Sequence, residues 1–303
     1  MGAGDDARRA RGLAGAGRDV VGPMVLEAWD VFLDRAATID LGRPTRLPGW
    51  RAQEICVHLG EWPDHAALAD LLSGARAGGT GDPPDVDATN ARVTAAHRDA
   101  PRADVLAALR RNREATARYL TDEPEELDTA PTVSTVGRLP LLSVVLGQAY
   151  ELAVHGLDLV PLGAPPPPPS VLQAGLAALA EVTGALAAAS GITGGATLLT
   201  PAGGWAFAAD PPGWTVRRVD GPAGGAVVEA AADVLLEAAS GRVNPAAALV
   251  RRRLRIRDLP GLMRLAPIVE AAPGIPGGPV LALAARTVGG TGDLLGRLRG
   301  RRG

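Results

Sequence analysis

The sequence contains no lysine, so all 31 of its basic residues are arginine. Against 33 acidic residues they leave a formal net charge of -2. That balance gives no reason to expect a polyanionic partner and argues against nucleic-acid binding. With basic residues so biased toward arginine, a single surface arginine is a weak functional signal. Cysteine is nearly absent too. One residue, Cys56, excludes an intrachain disulfide and any cysteine-cluster metal site, and suits a reducing, cytoplasmic compartment. Aromatic residues make up only 3% of a chain that is 47% hydrophobic, so its cores must be built from Leu, Val and Ala. Long apolar runs are lacking as well. The longest, around Ala174 to Ile192, is interrupted by Glu181 and several glycines, so no membrane partner is expected. Residues 1–19 have no apolar segment of the kind a secretion signal needs and read as a disordered lead-in.

At 303 residues, two domains are the default expectation. Helical spacing of apolar residues begins at Val20 and runs to Ile39. A second helix is expected from Trp50 to Ser73, and a third from Val86 to Leu120 with a break near Pro101. A fourth is expected from Leu139 to Leu159, with Pro140 in its first turn. Thr121 to Arg138 reads as a polar connection. Four such helices argue for an antiparallel bundle over residues 20–163. Five consecutive prolines follow Ala164, and the stretch 164–170 reads as a semi-rigid linker. Residues 171–297 combine helical segments with short strand candidates at Ala196–Thr200, Trp205–Ala209, Thr215–Val219, Ala226–Glu229 and Leu254–Arg257, which indicates an α+β domain. Residues 298–303 read as a loose basic tail.

The four histidines are His58, His65, His97 and His155. Glu151 and His155 stand at i and i+4, on one face of a helix that is otherwise almost wholly apolar. A carboxylate in such surroundings needs a partner. A divalent cation would satisfy both groups, and a helical hydrogen-bonded pair is the plainer alternative. His58 lies between Val57 and Leu59 in an equally apolar helix. If that helix faces the fourth, His58 completes a His-Glu-His set with a position left open for chemistry. His65 falls two turns after His58, as a general acid near the site or as a partly exposed helical histidine. Asp158, three residues after His155, either orients a ligand or satisfies the helix end. His97 sits beside Arg98 and Asp99 and reads as a surface residue, and Cys56 reads as a core residue.

The run Leu47-Pro48-Gly49-Trp50 with Val57-His58-Leu59 resembles the opening motif of the mycothiol-dependent maleylpyruvate isomerase family. Glu151-Leu152-Ala153-Val154-His155-Gly156-Leu157-Asp158-Leu159, followed by Leu162-Gly163, is similar to its second motif. The resemblance implies a DinB-like four-helix bundle and a divalent metal, usually zinc, held by His58, Glu151 and His155. It also implies mycothiol, a low-molecular-weight thiol, as cosubstrate, and isomerisation or S-transfer on a small electrophile. Alternatives on the same scaffold are a thiol-independent tailoring enzyme such as a cyclase, and a non-catalytic protein that binds an apolar ligand. Ala232 to Pro245 is similar to a segment of sterol-carrier-like domains, which several family members carry at the C-terminus. Arg253-Leu254-Arg255-Ile256-Arg257-Asp258 departs from that domain's usual glycine pattern, which favours an accessory lid over a lipid carrier. From the cluster Arg251, Arg252, Arg253, Arg255 and Arg257, one arginine could reach a substrate carboxylate.

Overall fold

A computed structural model describes residues 10–268. Its first half is helical: α1 (Arg18–Thr38), α2 (Ala52–Leu59), α3 (Ala67–Arg76), α4 (Val86–His97), α5 (Arg102–Asp122) and α6 (Leu141–Leu159). A short hairpin of β1 (Pro131–Ser134) and β2 (Gly137–Pro140) precedes α6. The long helices α1 and α6 pack side by side, with α5 against α1 and α2 against α5. Between them Trp29, Phe32, Ile55, Leu109, Leu142 and Leu146 are fully buried. The rest of this core is mostly Leu, Val and Ala, as the scarcity of aromatic residues requires.

The second half holds α7 (Pro169–Ala189), β3 (Gly194–Thr200), β4 (Gly203–Asp210), β5 (Gly213–Val219), β6 (Ala226–Ala230), α8 (Ala232–Ala239), α9 (Pro245–Val250), β7 (Leu254–Arg257) and α10 (Leu259–Met263). The strands form one sheet in the order β5-β4-β3-β6-β7, antiparallel except for the β3–β6 pair. Helix α7 covers the sheet on one side and packs along α6 on the other. By length and hydropathy it could cross a membrane, yet most of it is buried in this sandwich. A core helix shared by two layers needs apolar residues all round, which explains its composition. The mixed helical-then-α+β architecture agrees with the sequence reading.

The structure corrects that reading in four places. The second helix is not continuous: α2 ends at Gly60, and α3 begins only at Ala67. Pro63 lies in the break, and the Trp62 indole caps the end of α2 by donating to the Val57 carbonyl at 3.0 Å. The polar connection before α6 contains the β1–β2 hairpin, so Pro140 ends a strand and stands just before α6 rather than within its first turn. Residues 10–16 are not a loose lead-in. Leu13 and Ala14 are buried, and their backbone N–H groups donate to Glu181 of α7. The proline run is held in place, with Arg35 donating to the Pro165 carbonyl at 2.9 Å, and Pro169 opens α7 directly. The basic tail 298–303, and the end of the α+β region read over 171–297, lie outside the described residues.

Candidate metal centre

Helix α6 presents Glu151 and His155 one turn apart, and α2 brings His58 up to them. Glu151 Oε2 lies 3.6 Å from His155 Nε2 and 3.9 Å from His58 Nε2. One donor atom from each of the three residues falls within 4.8 Å of the other two. The imidazole rings meet edge to face at 5.5 Å between centroids. Trp50 forms a wall over them, edge-on to His58 and stacked with His155. Access is uneven: the His155 side chain is 5% exposed and that of Glu151 45%. The centre is thus walled on the His155 side and open on the Glu151 side.

Both histidines are fixed from behind. His58 Nδ1 faces Asn90 Oδ1 on α4 at 3.0 Å. An amide oxygen only accepts, so this contact puts the imidazole proton on Nδ1 and leaves the Nε2 lone pair toward Glu151. His155 Nδ1 faces Asp158 Oδ2 at 2.9 Å, with the same consequence. Burial lowers the His155 pKa further than Asp158 and Glu151 raise it, which favours the neutral ring. Desolvation pulls the Glu151 carboxyl upward, but a hydrogen bond from His58 and the positive charges of His155 and His58, when protonated, and of Arg242 outweigh it and hold the group below the ordinary carboxylate range. Two neutral imidazoles with inward lone pairs and one ionised carboxylate are the donor set a divalent cation of the zinc type takes. Hydrogen-bonded partners behind the ligands are the usual companion of such sites. The residues present therefore fit a divalent cation.

Asp158 belongs to this arrangement more firmly than its spacing suggested. Its carboxylate is wholly buried and accepts from Arg46 Nε at 2.7 Å and from Arg242 Nη2 at 3.1 Å. Burial alone would raise its pKa, but the hydrogen bonds and charges of His155 and Arg242 hold it well below the ordinary range. His65 is not one of the three donors, although the charge of His58 reaches it. It lies in the break between α2 and α3, pairs its backbone with Trp62, and stands outside the three-donor group. Burial, then the charge of Arg92, lowers its pKa. His97 is not a free surface residue either: its ring stacks on Trp62 at 3.8 Å and meets Asp64 at 2.8 Å.

Sequence reasoning missed Asn90, Arg46 and Arg242. It directed attention instead to the arginines around β7, whose side chains are exposed; one of them, Arg257, pairs with Glu229. Trp50 appeared only as part of a motif. Asn90 carried no signal except its place on a helix, and the arginines were masked by the abundance of their kind.

Residues 25–160 match the family described as "Mycothiol maleylpyruvate isomerase N-terminal domain". That stretch spans α1 to α6 but for the first turns of α1, and includes His58, Glu151 and His155. The family resemblance read from the two motifs is met over this half. Two solved structures resemble the chain at a TM-score of 0.49, each covering 75% of this chain and 90% of its own. One is the mycothiol-dependent maleylpyruvate isomerase, 18% identical, and the other a histidine-to-alanine mutant of it, 16% identical. No curated protein matches the chain by sequence.

Proposed function

We propose that the protein is a metal-dependent enzyme that uses a low-molecular-weight thiol, mycothiol or a close relative, on a small electrophile. The reaction class is isomerisation or S-transfer. The match of the helical half to the isomerase N-terminal domain supports the class. The observation that carries the reading is the meeting of His58, Glu151 and His155, with both imidazoles oriented by Asn90 and Asp158.

In this reading His58, Glu151 and His155 hold a divalent cation, zinc by the nature of the donors. When bound, the cation supplies Lewis acidity that favours the thiolate over the thiol at neutral pH. The remaining work falls to the protein. Asn90 and Asp158 keep the imidazole protons on Nδ1, so neither ring must reorganise during turnover. Trp50 excludes water from one side of the centre, and the open Glu151 side admits thiol and electrophile. Cys56 takes no part. It is buried, and burial pushes its thiol up to about 12, which leaves it protonated and inert. A cytoplasmic location follows from the thiol cosubstrate, and no nucleic acid or membrane partner is called for.

The decisive experiment is metal analysis of the purified protein, paired with turnover of maleylpyruvate with and without mycothiol. One cation per chain, lost in His58→Ala, and thiol-dependent turnover are expected. Cation binding with no response to any thiol would leave the thiol-independent tailoring enzyme.

The non-catalytic reading draws on a different feature. A small apolar cavity of about 50 Å³ lies between α7, the sheet and α8, lined by Leu179, Phe207, Val228, Leu235 and Leu254 among others. It would suit an apolar group. This reading requires His155→Ala to leave the protein's biological function intact, so loss of function in a folded variant excludes it.

A further inference from the structure

Asp158 is the meeting point of two parts of the chain. The bundle supplies Asp158 from α6 and Arg46 from the loop between α1 and α2. The C-terminal part supplies Arg242, just after α8, and Glu237 within α8. Arg46 bridges Asp158 and Glu237, while Arg242 reaches Asp158 from the other side. Each part thus brings one cation and one anion, and two of the three ion pairs cross between the parts. The fifth member of this cluster is His155.

We infer that Arg242 and Glu237 are positioning residues for the metal centre, acting on His155 through Asp158, so that docking of the C-terminal part and cation binding are coupled. The inference rests on the metal reading of His58, Glu151 and His155. A fully buried carboxylate keeps its charge only if cations and donors surround it. Arg46 fixes Oδ1, and Arg242 and His155 share Oδ2. That sharing leaves the carboxylate one orientation, in which Oδ2 accepts the His155 Nδ1 proton. Without Arg242 the group loses a cation and a rotational constraint together. Glu237 does not touch Asp158. Its ion pair with Arg46 holds that guanidinium across the junction. An opposing effect exists, because two arginines draw charge from Asp158 and weaken its pull on the imidazole proton. The forked, buried geometry favours orientation as the larger effect.

Binding coupling is reciprocal, so the cation must in turn tighten the docking of α8. The test uses the full chain, stripped of metal, with Zn²⁺ affinity read by chelator competition and the visible spectrum of bound Co²⁺. Arg242→Gln is expected to weaken Zn²⁺ binding by about tenfold or more, the usual scale for a partner behind a ligand, and to shift the Co²⁺ bands. Zn²⁺ is expected to raise amide-exchange protection of Ala232–Ala239 in the unsubstituted protein and not in Arg242→Gln. Arg257→Gln, which removes an exposed ion pair on the same half, serves as the control and should change neither reading. If Arg242→Gln does not fold, Glu237→Gln decides on the same readings, with a smaller loss in the same direction. Affinity within about twofold of the unsubstituted protein, or tighter binding, would overturn the coupling. Failure of the metal reading looks different: His58→Ala would then bind Zn²⁺ as well as the unsubstituted protein does.

Discussion

His58 Nδ1 and Asn90 Oδ1 stand 3.0 Å apart, joining a histidine of α2 to the first half of α4. The contact assigns the proton of His58 without any charged partner, unlike the aspartate behind His155. Asn90→Ala removes the acceptor and lets the ring adopt either tautomer. It is expected to weaken Zn²⁺ binding by about tenfold, while Asn90→Asp, which keeps an acceptor in place, retains most of the affinity. Chelator competition separates the variants. Equal affinity in Asn90→Ala and the unsubstituted protein would mean that the amide does not set the tautomer.

Much of this site was legible because its three candidate donors lie on regular helices. The i, i+4 spacing of Glu151 and His155 survives folding unchanged, and the apolar context of His58 points it inward. What lay behind these donors was not legible. Asn90 and His58 are 32 residues apart, and Arg242 and Asp158 are 84 apart, so only the packing of helices brings them together. The helical spacing counted from His58 to His65 fails for a local reason. Gly60 and Pro63 stop the helix on which it was counted. The hairpin before α6 escaped notice because each of its strands has only four residues, too few for an alternating pattern to emerge. The poly-proline run marks a change of composition but not a gap, since α7 returns along α6 immediately after it.

Glu151 supplies the only negative charge among the three donors. Glu151→Gln preserves shape and removes that charge, so it should lower cation affinity more than Asn90→Ala does, with the helical circular dichroism unchanged. Metal content after dialysis gives the measurement. Full cation content in Glu151→Gln would show that the carboxylate is not a ligand.

Cys56 offers a test of burial. With its thiol pushed up to about 12 by desolvation, it should resist iodoacetamide at pH 8 in the folded protein and react fully in denaturant. Cys56→Ala should leave thiol-dependent turnover intact apart from a modest loss of stability. Rapid alkylation of the folded chain would contradict the packing of α2.

Gly12 holds the N-terminal strap against α7 and β5. Its φ is +55°, its N–H donates to the Trp214 carbonyl at 3.0 Å, and an added Cβ would run into Glu181 and Trp214. Gly12→Ala therefore combines left-handed backbone strain with a clash, and should reduce stability by about 1–3 kcal/mol. Limited proteolysis should then cut within residues 10–16 sooner than in the unsubstituted protein. An unchanged cleavage rate and unchanged urea midpoint would mean that the strap does not bear on the fold.

Glu181 is the strap's anchor and makes stability depend on pH with a definite sign. Its two oxygens accept from the Leu13 and Ala14 N–H groups, the Ser143 hydroxyl and the Trp214 indole, with no cation among these partners. Burial pushes its carboxyl above the ordinary 4.5, against the pull of those four donors. The folded state therefore holds its proton at higher pH than the unfolded state does. The stability this contributes is complete below about 4.5 and is lost as pH rises through the folded-state value. Glu181→Gln cannot titrate, so the stability of the unsubstituted protein minus that of the variant should fall with rising pH and then level off. Urea unfolding of both proteins from pH 4.5 upward measures the difference, other carboxylates cancelling in the subtraction. Glu181→Ala leaves four buried donors unmet and should lower stability by about 2–4 kcal/mol at neutral pH. A difference that grows with pH would mean the carboxyl is held below its ordinary range and that the donors outweigh burial.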